Sequence, residues 1–287
     1  ACARPRTASS RWRRAARWCL VVALPATRAL TPLRMPAVAD RAVTYSNPLG
    51  ATLTPIRENV WWGEREFYPR IPGLSQFDVA CKMAVVRLRD GSLWVHAPVA
   101  LDAATKAAVD ALGPVRHVVT PNTEHLKWAR QWIDAYPEAT SYCCPGLREK
   151  RPDIGYDFEV GDACPEAWGG EFECTWVEEE RAPFKLLGDA PFFSEVVFCH
   201  KPSKVLFVVD LWWNYPESAP RAWKFAMDSI YRPVYNGLMR QDGHGDRVAK
   251  ILGWDWDYLA PCHGEPVAGP AAKATLAAHV DYAWDGA

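Results

Sequence analysis

The 287-residue sequence predicts a fold of the α/β (α+β) class, in which short strands alternate with amphipathic helices. Three observations predict it. Apolar runs of strand length recur along the chain. Some neighbouring runs are joined by turn residues, and others are separated by segments with the spacing of a helix. Three of the predicted strands also lead into a residue with a metal-ligand side chain, which places candidate chemistry at the strand ends.

The first predicted elements are two antiparallel strands and a helix. Apolar runs at 80–88 and 93–96 flank an Asp-Gly pair, which is typical of a β-hairpin turn. A helix follows at 102–112, because small and apolar residues recur there at helical spacing and a Gly-Pro pair ends the pattern. The carboxylate of Asp102 can cap the first turn of this helix.

The next segment places a polar loop between a strand and a helix. Residues 115–119 are apolar and predict a strand, and residues 125–136 have helical spacing up to a proline. The loop at 120–125 has the sequence Thr-Pro-Asn-Thr-Glu-His, so its polar side chains lie at a helix N-terminus. Backbone N–H groups in that position favour anions. A further strand is predicted at 140–142.

The second half of the chain contains another hairpin and a long insertion. Apolar runs at 196–199 and 205–209 flank a Lys-Pro-Ser-Lys turn, and the second run ends at Asp210. Residues 212–256 carry many tryptophans and tyrosines within helical stretches, and we interpret them as a lid over the strand ends. Their indoles either clamp an aromatic or lipid-like ligand or, as the favoured interpretation, pack in the core.

Three strand ends offer metal-ligand side chains, namely those of His125, Asp210 and His263. A catalytic zinc commonly has three protein ligands and an open position for water, so these residues could form a mononuclear site. Glu124 would then serve as a fourth ligand or as a base. In the alternative, the same residues cap helices and satisfy loop amides in a metal-free fold.

The order of these elements resembles the metallo-β-lactamase superfamily, whose chain runs through a histidine-rich loop to a strand ending in Asp and a late strand ending in His. The resemblance covers most of residues 58–280 and implies a four-layer αββα sandwich. The Pro-Asn loop and the Cys-His-Gly ending resemble a degenerate branch of that superfamily, a domain of unknown function found in photosynthetic lineages. For that branch the resemblance implies a fold and a plastid setting, and no activity.

The sequence departs from the superfamily at the metal loop. The family pattern is His-x-His-x-Asp-His, of which residues 120–125 keep only a Glu-His end, and a further family histidine is missing at 190–194. The usual two-zinc site therefore cannot be assembled, and the implied cofactor is one zinc, iron or manganese ion, or none. The resemblance carries over four metal-site positions: Glu124, His125, Asp210 and His263.

Two neighbouring positions receive structural interpretations. Cys262 precedes His263, and because adjacent strand residues point to opposite faces, we do not expect both side chains to face one metal. His96 lies where the family often has an aspartate behind the ligands, and a histidine at that strand end is interpreted as simply hydrogen-bonded.

Residues 1–39 have the composition of a targeting presequence. They contain eight arginines, and the first acidic residue of the chain is Asp40. The apolar run at 19–24 is far shorter than the ~20 residues that span a bilayer. A signal-like part followed by a transit-like part predicts import into the plastid (chloroplast), with a plain mitochondrial or plastid transit peptide as the alternative.

The charge and the cysteines of the remaining chain exclude some classes of function. Without the eight arginines, 25 basic residues face 34 acidic ones, which argues against nucleic-acid binding and against a role on an anionic membrane. No transmembrane segment is predicted in the mature protein. Seven cysteines remain, an odd number that leaves at least one unpaired, and no Asn-x-Ser/Thr sequon occurs. Both facts fit a reducing compartment.

We interpret residues 1–39 as the presequence, 40–57 as an extended lead-in and 58–287 as a metallo-β-lactamase-like domain with its insertion at about 212–256. The first functional hypothesis is metal-dependent hydrolysis of a small ester, thioester or phosphoester. The second is a non-catalytic protein that uses the former active-site cleft to bind a small-molecule ligand or to take part in an assembly.

Overall fold

Two β-sheets pack against each other at the centre of the fold. In the computed structural model, which describes residue 47 and residues 49–65, 80–179, 193–214, 221–239 and 243–283, one sheet has seven described strands and the other has five. The first sheet contains β1 (Thr54–Arg57), β2 (Val60–Arg65), β3 (Cys81–Arg87), β4 (Leu93–His96), β5 (Val115–Thr120), β6 (Thr140–Cys143) and β7 (Phe158–Glu159). The second contains β8 (Phe172–Glu179), β9 (Phe193–His200), β10 (Val205–Val208), β11 (Tyr258–Pro261) and β12 (Val267–Ala268).

Both predicted hairpins are confirmed. β3 and β4 pair antiparallel, and the turn between them contains Gly91 with a φ of 85°, a conformation that glycine adopts without strain. β9 and β10 form the second antiparallel pair. From β4 to β7 the first sheet continues with parallel pairing. β1, at the end of the predicted lead-in, pairs with β2 at the edge of this sheet.

The described helices are α1 (Ala103–Asp110), α2 (Ala129–Ala135), α3 (Leu147–Lys150), α4 (Arg221–Ala226), α5 (Arg232–Met239), α6 (His244–Gly253) and α7 (Ala271–His279). Asp102 caps α1 as predicted, since its Oδ1 accepts the backbone N–H of Thr105 at 2.8 Å. α2 begins at Ala129 rather than at 125. Residues 125–128 form turns, and the Asn122 side chain accepts the backbone N–H of His125 where they begin.

Alternating side chains divide the buried residues into three layers of core. On β4, Trp94 faces the second sheet, with its ring centroid 5.4 Å from that of Phe198, while Val95 faces outward towards α1 and α2. On β10, Phe207 faces inward and Leu206 packs outward with α6 and α7. This arrangement of helix, sheet, sheet and helix layers confirms the predicted four-layer αββα sandwich.

The insertion contributes to the core. Trp212, Trp254 and Trp256 are buried in the outer layer of the second sheet, beside α6 and α7, which agrees with core packing for these three indoles. We call residues 221–239 the α4–α5 segment. In contrast to the three buried tryptophans, this segment exposes Phe225, Ile230 and other large apolar side chains.

The described helices include none with the length and apolarity needed to cross a bilayer. Seven cysteines lie within the described residues, and all have free thiols. The predicted presequence lies outside the described residues, as do residues 190–192 of the segment where the family histidine is missing.

Candidate metal centre

Three of the four predicted ligand residues lie at the same edge of the sandwich. His125 follows the end of β5 in the first sheet. Asp210 and His263 follow the ends of β10 and β11, which are parallel neighbours, so their carboxyl ends meet at one edge of the second sheet. A backbone hydrogen bond from Val196 to Pro121 holds the two sheets together beside this edge.

The side-chain atoms of these three residues converge on one point. His125 Nε2 lies 3.0 Å from His263 Nε2 and 3.6 Å from Asp210 Oδ1, and His263 Nε2 lies 3.4 Å from the same oxygen. Ligands of a tetrahedral ion with bonds of about 2.0–2.1 Å lie about 3.3 Å apart. The side chains are 4, 13 and 24% exposed for His125, His263 and Asp210. The set therefore fits a single small cation with one side open.

Hydrogen bonds behind the histidines orient their rings. His263 Nδ1 donates to the Ala80 carbonyl oxygen at 2.5 Å, which leaves Nε2 to face the centre. His125 Nδ1 contacts Cys262 Sγ at 3.4 Å, so its Nε2 also faces the centre. Partners of this kind fix the tautomer and orientation of metal-binding histidines.

Electrostatics favour the protonation states that metal ligands need. Burial lowers the pKa of His125, which keeps this imidazole neutral. Burial opposes the ionisation of Asp210, but His125 and His263 outweigh it and hold the pKa of that carboxyl well below its usual range. At neutral pH the centre therefore presents an ionised carboxylate and a neutral imidazole.

Asn122 connects the loop at 120–125 with Asp210. Its Nδ2 donates to Asp210 Oδ2, which leaves Oδ1 to face the histidines. Its Oδ1 accepts the backbone N–H groups of His125 at 2.8 Å and Glu124 at 3.2 Å. The buried Asn122 side chain thus positions two of the three candidate ligands, His125 and Asp210.

Glu195 supports the segment that carries Asp210. This fully buried carboxyl group accepts the backbone N–H groups of Val209, Asp210 and Leu211 at 2.7, 2.7 and 3.0 Å. Burial and the neighbouring Asp210 charge raise the pKa of Glu195 to about 8, although the three backbone donors oppose the rise. The carboxylate fixes the backbone at the end of β10.

Gly264 allows the loop after β10 and the loop after β11 to touch. Its φ is +83°, and a Cβ built on it would lie 1.4 Å from the carbonyl oxygen of Asn214. Asn214 in turn donates its backbone N–H to the carbonyl oxygen of His263 at 3.1 Å. Glycine at 264 is therefore required for the approach of the segment after Asp210 to the segment after His263.

Glu124 is exposed to solvent beside His125. Partial burial and the charge of Asp210 raise its pKa. Its role as a fourth ligand or a base stays a prediction.

The expectation for Cys262 was wrong in one respect. Its Sγ lies within 4.8 Å of ligand atoms of both His125 and His263, because β11 ends at Pro261 and the alternation of a strand no longer applies. The contact of Sγ is with His125 Nδ1, across the imidazole ring from Nε2. Burial raises the pKa of the Cys262 thiol well above its usual range, which favours a hydrogen-bonding thiol in this position.

His96 does not show the simple hydrogen bonding that the sequence suggested. It is buried against Trp94, with ring centroids 5.3 Å apart, and its Nε2 has no hydrogen-bond partner among the described residues. Burial lowers the pKa of His96 to about 3, so the ring is a neutral part of the core.

Sequence reasoning missed Asn122 and Glu195 as supports of the centre. Glu195 carried a signal, since it is the only carboxylate in β9 and precedes the apolar run 196–199. The Pro-Asn pair in the loop was noted in the sequence, but it did not indicate a contact between Asn122 and Asp210. That contact spans 88 residues and depends on the packing of the two sheets.

Residues 59–255 match the family described as Domain of unknown function (DUF4336), which spans more than half of the chain. The chain belongs to the DUF4336 family. No curated protein sequence matches this DUF4336 chain.

Solved structures share the fold of this DUF4336 chain. A protein described as diflavin flavoprotein A 5 (fragment 1–254) from Nostoc sp. PCC 7120 aligns with 80% of this chain and 93% of its own, with a TM-score of 0.55 and 14% identity. The metal-soaked Flv1 flavodiiron core from Synechocystis sp. PCC6803 gives a TM-score of 0.57 at 12% identity, over 80% of this chain and 60% of its own.

A metallo-β-lactamase is similar over nearly its whole length. FIM-1 from Pseudomonas aeruginosa, in its mono-zinc form, aligns with 80% of this chain and 94% of its own, with a TM-score of 0.52 and 12% identity. At these identities the similarity shows the fold, which is of the metallo-β-lactamase type, and the chemistry has to be argued from the residues themselves.

Proposed function

We propose that this chain binds one zinc, iron or manganese ion through His125, Asp210 and His263 and hydrolyses a small ester, thioester or phosphoester. The observation that carries the proposal is the triangle of ligand atoms, with sides of 3.0, 3.4 and 3.6 Å. Atoms at these separations share a point about 2 Å from each, which is the length of a zinc bond to nitrogen or oxygen. The mono-zinc form of FIM-1 supports a single ion on the same fold.

His125 and His263 would hold the ion through Nε2, and Asp210 through Oδ1. When bound, such an ion supplies Lewis acidity, which ionises water near neutral pH and polarises a substrate oxygen. Asn122 and Glu195 keep Asp210 in place, and the Ala80 carbonyl orients His263. The exposed Glu124, next to His125, is the proposed proton acceptor in the reaction.

A second candidate function is supported by the contact between the two histidines. The Nε2 atoms of His125 and His263 lie 3.0 Å apart, a distance that one shared proton satisfies without any metal. In that case the chain is a non-catalytic ligand-binding or assembly protein that retains the cleft of its fold.

Elemental analysis separates the two functions. The purified chain is dialysed without chelator and analysed for zinc, iron and manganese, and His125→Ala and His263→Ala variants are treated in the same way. We expect about one metal ion per chain in the wild type, the number that a three-ligand site holds, and loss of the ion in both variants. His244→Ala, which removes a buried histidine from α6, is the control and keeps its metal.

The absence of bound metal, together with no uptake when zinc, iron or manganese is added, would sink the hydrolase proposal. Retention of the ion in both ligand variants would show that it binds elsewhere. If the ion is bound as expected, 4-nitrophenyl acetate and 4-nitrophenyl phosphate test ester and phosphoester hydrolysis, with the metal-depleted chain as the blank.

We further propose that residues 1–39 direct the protein to the plastid of a photosynthetic organism. The support is the composition, with eight arginines and no acidic residue before Asp40. Fusion of residues 1–39 to a fluorescent protein in a plastid-bearing cell is expected to give plastid fluorescence. Mitochondrial fluorescence would contradict the proposal and favour a plain transit peptide.

A further inference from the structure

An open cleft lies between α7 and the α4–α5 segment, on the outer side of the second sheet. We refer to it as the α7 cleft. Its volume is about 600 Å³, which falls within the range of about 300–1,000 Å³ found for small-molecule sites. None of the three proposed metal ligands lines it, so it is separate from the candidate metal centre.

The floor and one wall of the cleft are shaped for a flat apolar group. Ala271, Ala274 and Ala278 lie on α7 at spacings of three and four residues, so their short side chains form one face of the helix and leave room above it. Trp213 forms a wall. Its ring is held perpendicular to that of His279, with centroids 4.5 Å apart. A planar ring can lie between the alanine floor and this fixed indole.

The charged residues that line the cleft favour an anion. The α4–α5 segment contributes Lys224 and Arg232 against one carboxylate, that of Asp228, which lies 4.0 Å from the Arg232 guanidinium. Burial lowers the pKa of His279 to about 3, so this lining residue adds no charge at neutral pH. The local excess of positive charge stands out, because the chain beyond residue 39 has 25 basic and 34 acidic residues.

A buried hydrogen-bonding atom at the cleft has no partner among the described residues. His279 lines the cleft, is 6% exposed, and its Nε2 makes no hydrogen bond there. This Nε2 is enclosed by the protein, so His279 contributes to the cleft as the ring that holds Trp213 in place.

We propose that the α7 cleft binds a small organic anion with a planar aromatic body, such as an aromatic carboxylate, sulfonate or phosphate monoester. The aromatic body lies between Trp213 and the alanines of α7, and the anionic group faces Arg232 and Lys224. Binding of this anion needs no metal and is independent of the proposed hydrolysis.

A pair of fluorescent probes tests this site on the full chain in the presence of EDTA. The probes are 1-anilinonaphthalene-8-sulfonate and the neutral N-phenyl-1-naphthylamine, which have the same ring system with and without the anionic group. We expect the sulfonate to bind more tightly. Arg232→Gln and Lys224→Gln each weaken sulfonate binding by about three- to fivefold, the size of a solvent-accessible charge pair, and leave binding of the neutral probe unchanged.

A third variant blocks the cleft. Ala274→Phe places a ring on the floor and is expected to weaken both probes by at least about tenfold through a direct clash. The matched controls lie on α1, where Lys106→Gln removes an exposed charge and Ala107→Phe adds an exposed ring. Near-ultraviolet circular dichroism confirms that each variant is folded.

Equal affinity of the wild type for both probes would overturn the proposal, because the cleft would then not select an anion. It would also be overturned if the cleft variants bound the sulfonate as the α1 controls do, since the probe would then bind elsewhere, for example at the exposed Phe225 and Ile230. Because the assay contains EDTA, its result is independent of the metal analysis.

Discussion

Asn122 is the residue on which the geometry of the candidate centre depends most directly. One side chain donates to Asp210 Oδ2 and accepts the backbone N–H groups of His125 and Glu124. Asn122→Ala frees the Asp210 carboxylate to rotate and leaves both amides without their acceptor. We therefore expect the variant to bind metal about 10–100-fold more weakly, the usual effect of removing a group that orients a ligand, as measured by competition with a chelator.

The control for this prediction is Asn236→Ala. That change also removes an amide donor, here to the His279 carbonyl oxygen at 2.6 Å, but at a distance from the centre. Its metal affinity is expected to equal that of the wild type. A wild-type affinity in Asn122→Ala would contradict the positioning role of the asparagine.

Glu195 is the second residue whose effect can be predicted. Glu195→Gln replaces a carboxylate oxygen by an amide that faces a backbone N–H group, in a site where both oxygens accept bonds from 209–211. We expect the free energy of unfolding to fall by about 1–3 kcal/mol, the cost of an unsatisfied buried donor, in urea denaturation at a pH above the value of about 8 at which Glu195 ionises. Glu138→Gln, at an exposed carboxylate, is the control. Equal stability of the two variants would show that the buried bonds are not formed.

At the scale of elements, the contact between the two ligand loops predicts the effect of Gly264→Ala. The new Cβ would collide with the carbonyl of Asn214, which separates the loop after β10 from the loop after β11. Metal binding is expected to be lost together with part of the stability. Gly269→Ala is a matched control, because its φ of +80° imposes the same backbone strain while nothing lies within 4 Å of the added methyl group.

If Gly264→Ala and Gly269→Ala lose equal stability and both retain metal, the close approach of the loops does not matter for the centre. The comparison separates strain at one residue from displacement of a loop. Metal content by elemental analysis and the urea midpoint are measured on the same preparations.

The elements differ in how well the sequence predicted them. The two hairpins and α1 were predictable because turn residues, caps and apolar spacing all act within a few positions. The start of α2 was not, since the apolar spacing reaches back to Leu126 while residues 125–128 form turns. The position of Cys262 was also missed, because the alternation rule ends with the strand at Pro261. The close approach of His125, Asp210 and His263 could not be predicted in detail, because it depends on how the two sheets pack against each other.

On the scale of the whole molecule, burial of histidines links stability to pH. Burial lowers the pKa of His117 and His200 to about 4 and that of His96 and His279 to about 3. In the unfolded chain a histidine titrates near 6.5. Between these values the unfolded state binds protons that the folded state does not, so the folded state loses stability as the pH falls. The stabilising contribution is fully present above about pH 6.5.

His117→Gln isolates one of these groups. Each such histidine adds about 1.4 kcal/mol per pH unit to the slope of the free energy of unfolding against pH. Between about pH 4.5 and 6, this free energy should therefore fall less steeply with decreasing pH in His117→Gln than in the wild type, by that amount. Urea denaturation at several pH values gives both slopes, and the interval above pH 7 serves as the internal control, where these histidines are neutral in both states. Parallel curves for the two proteins across the acidic interval would mean that His117 takes up a proton in the folded state, in contradiction to its burial on β5 of the first sheet.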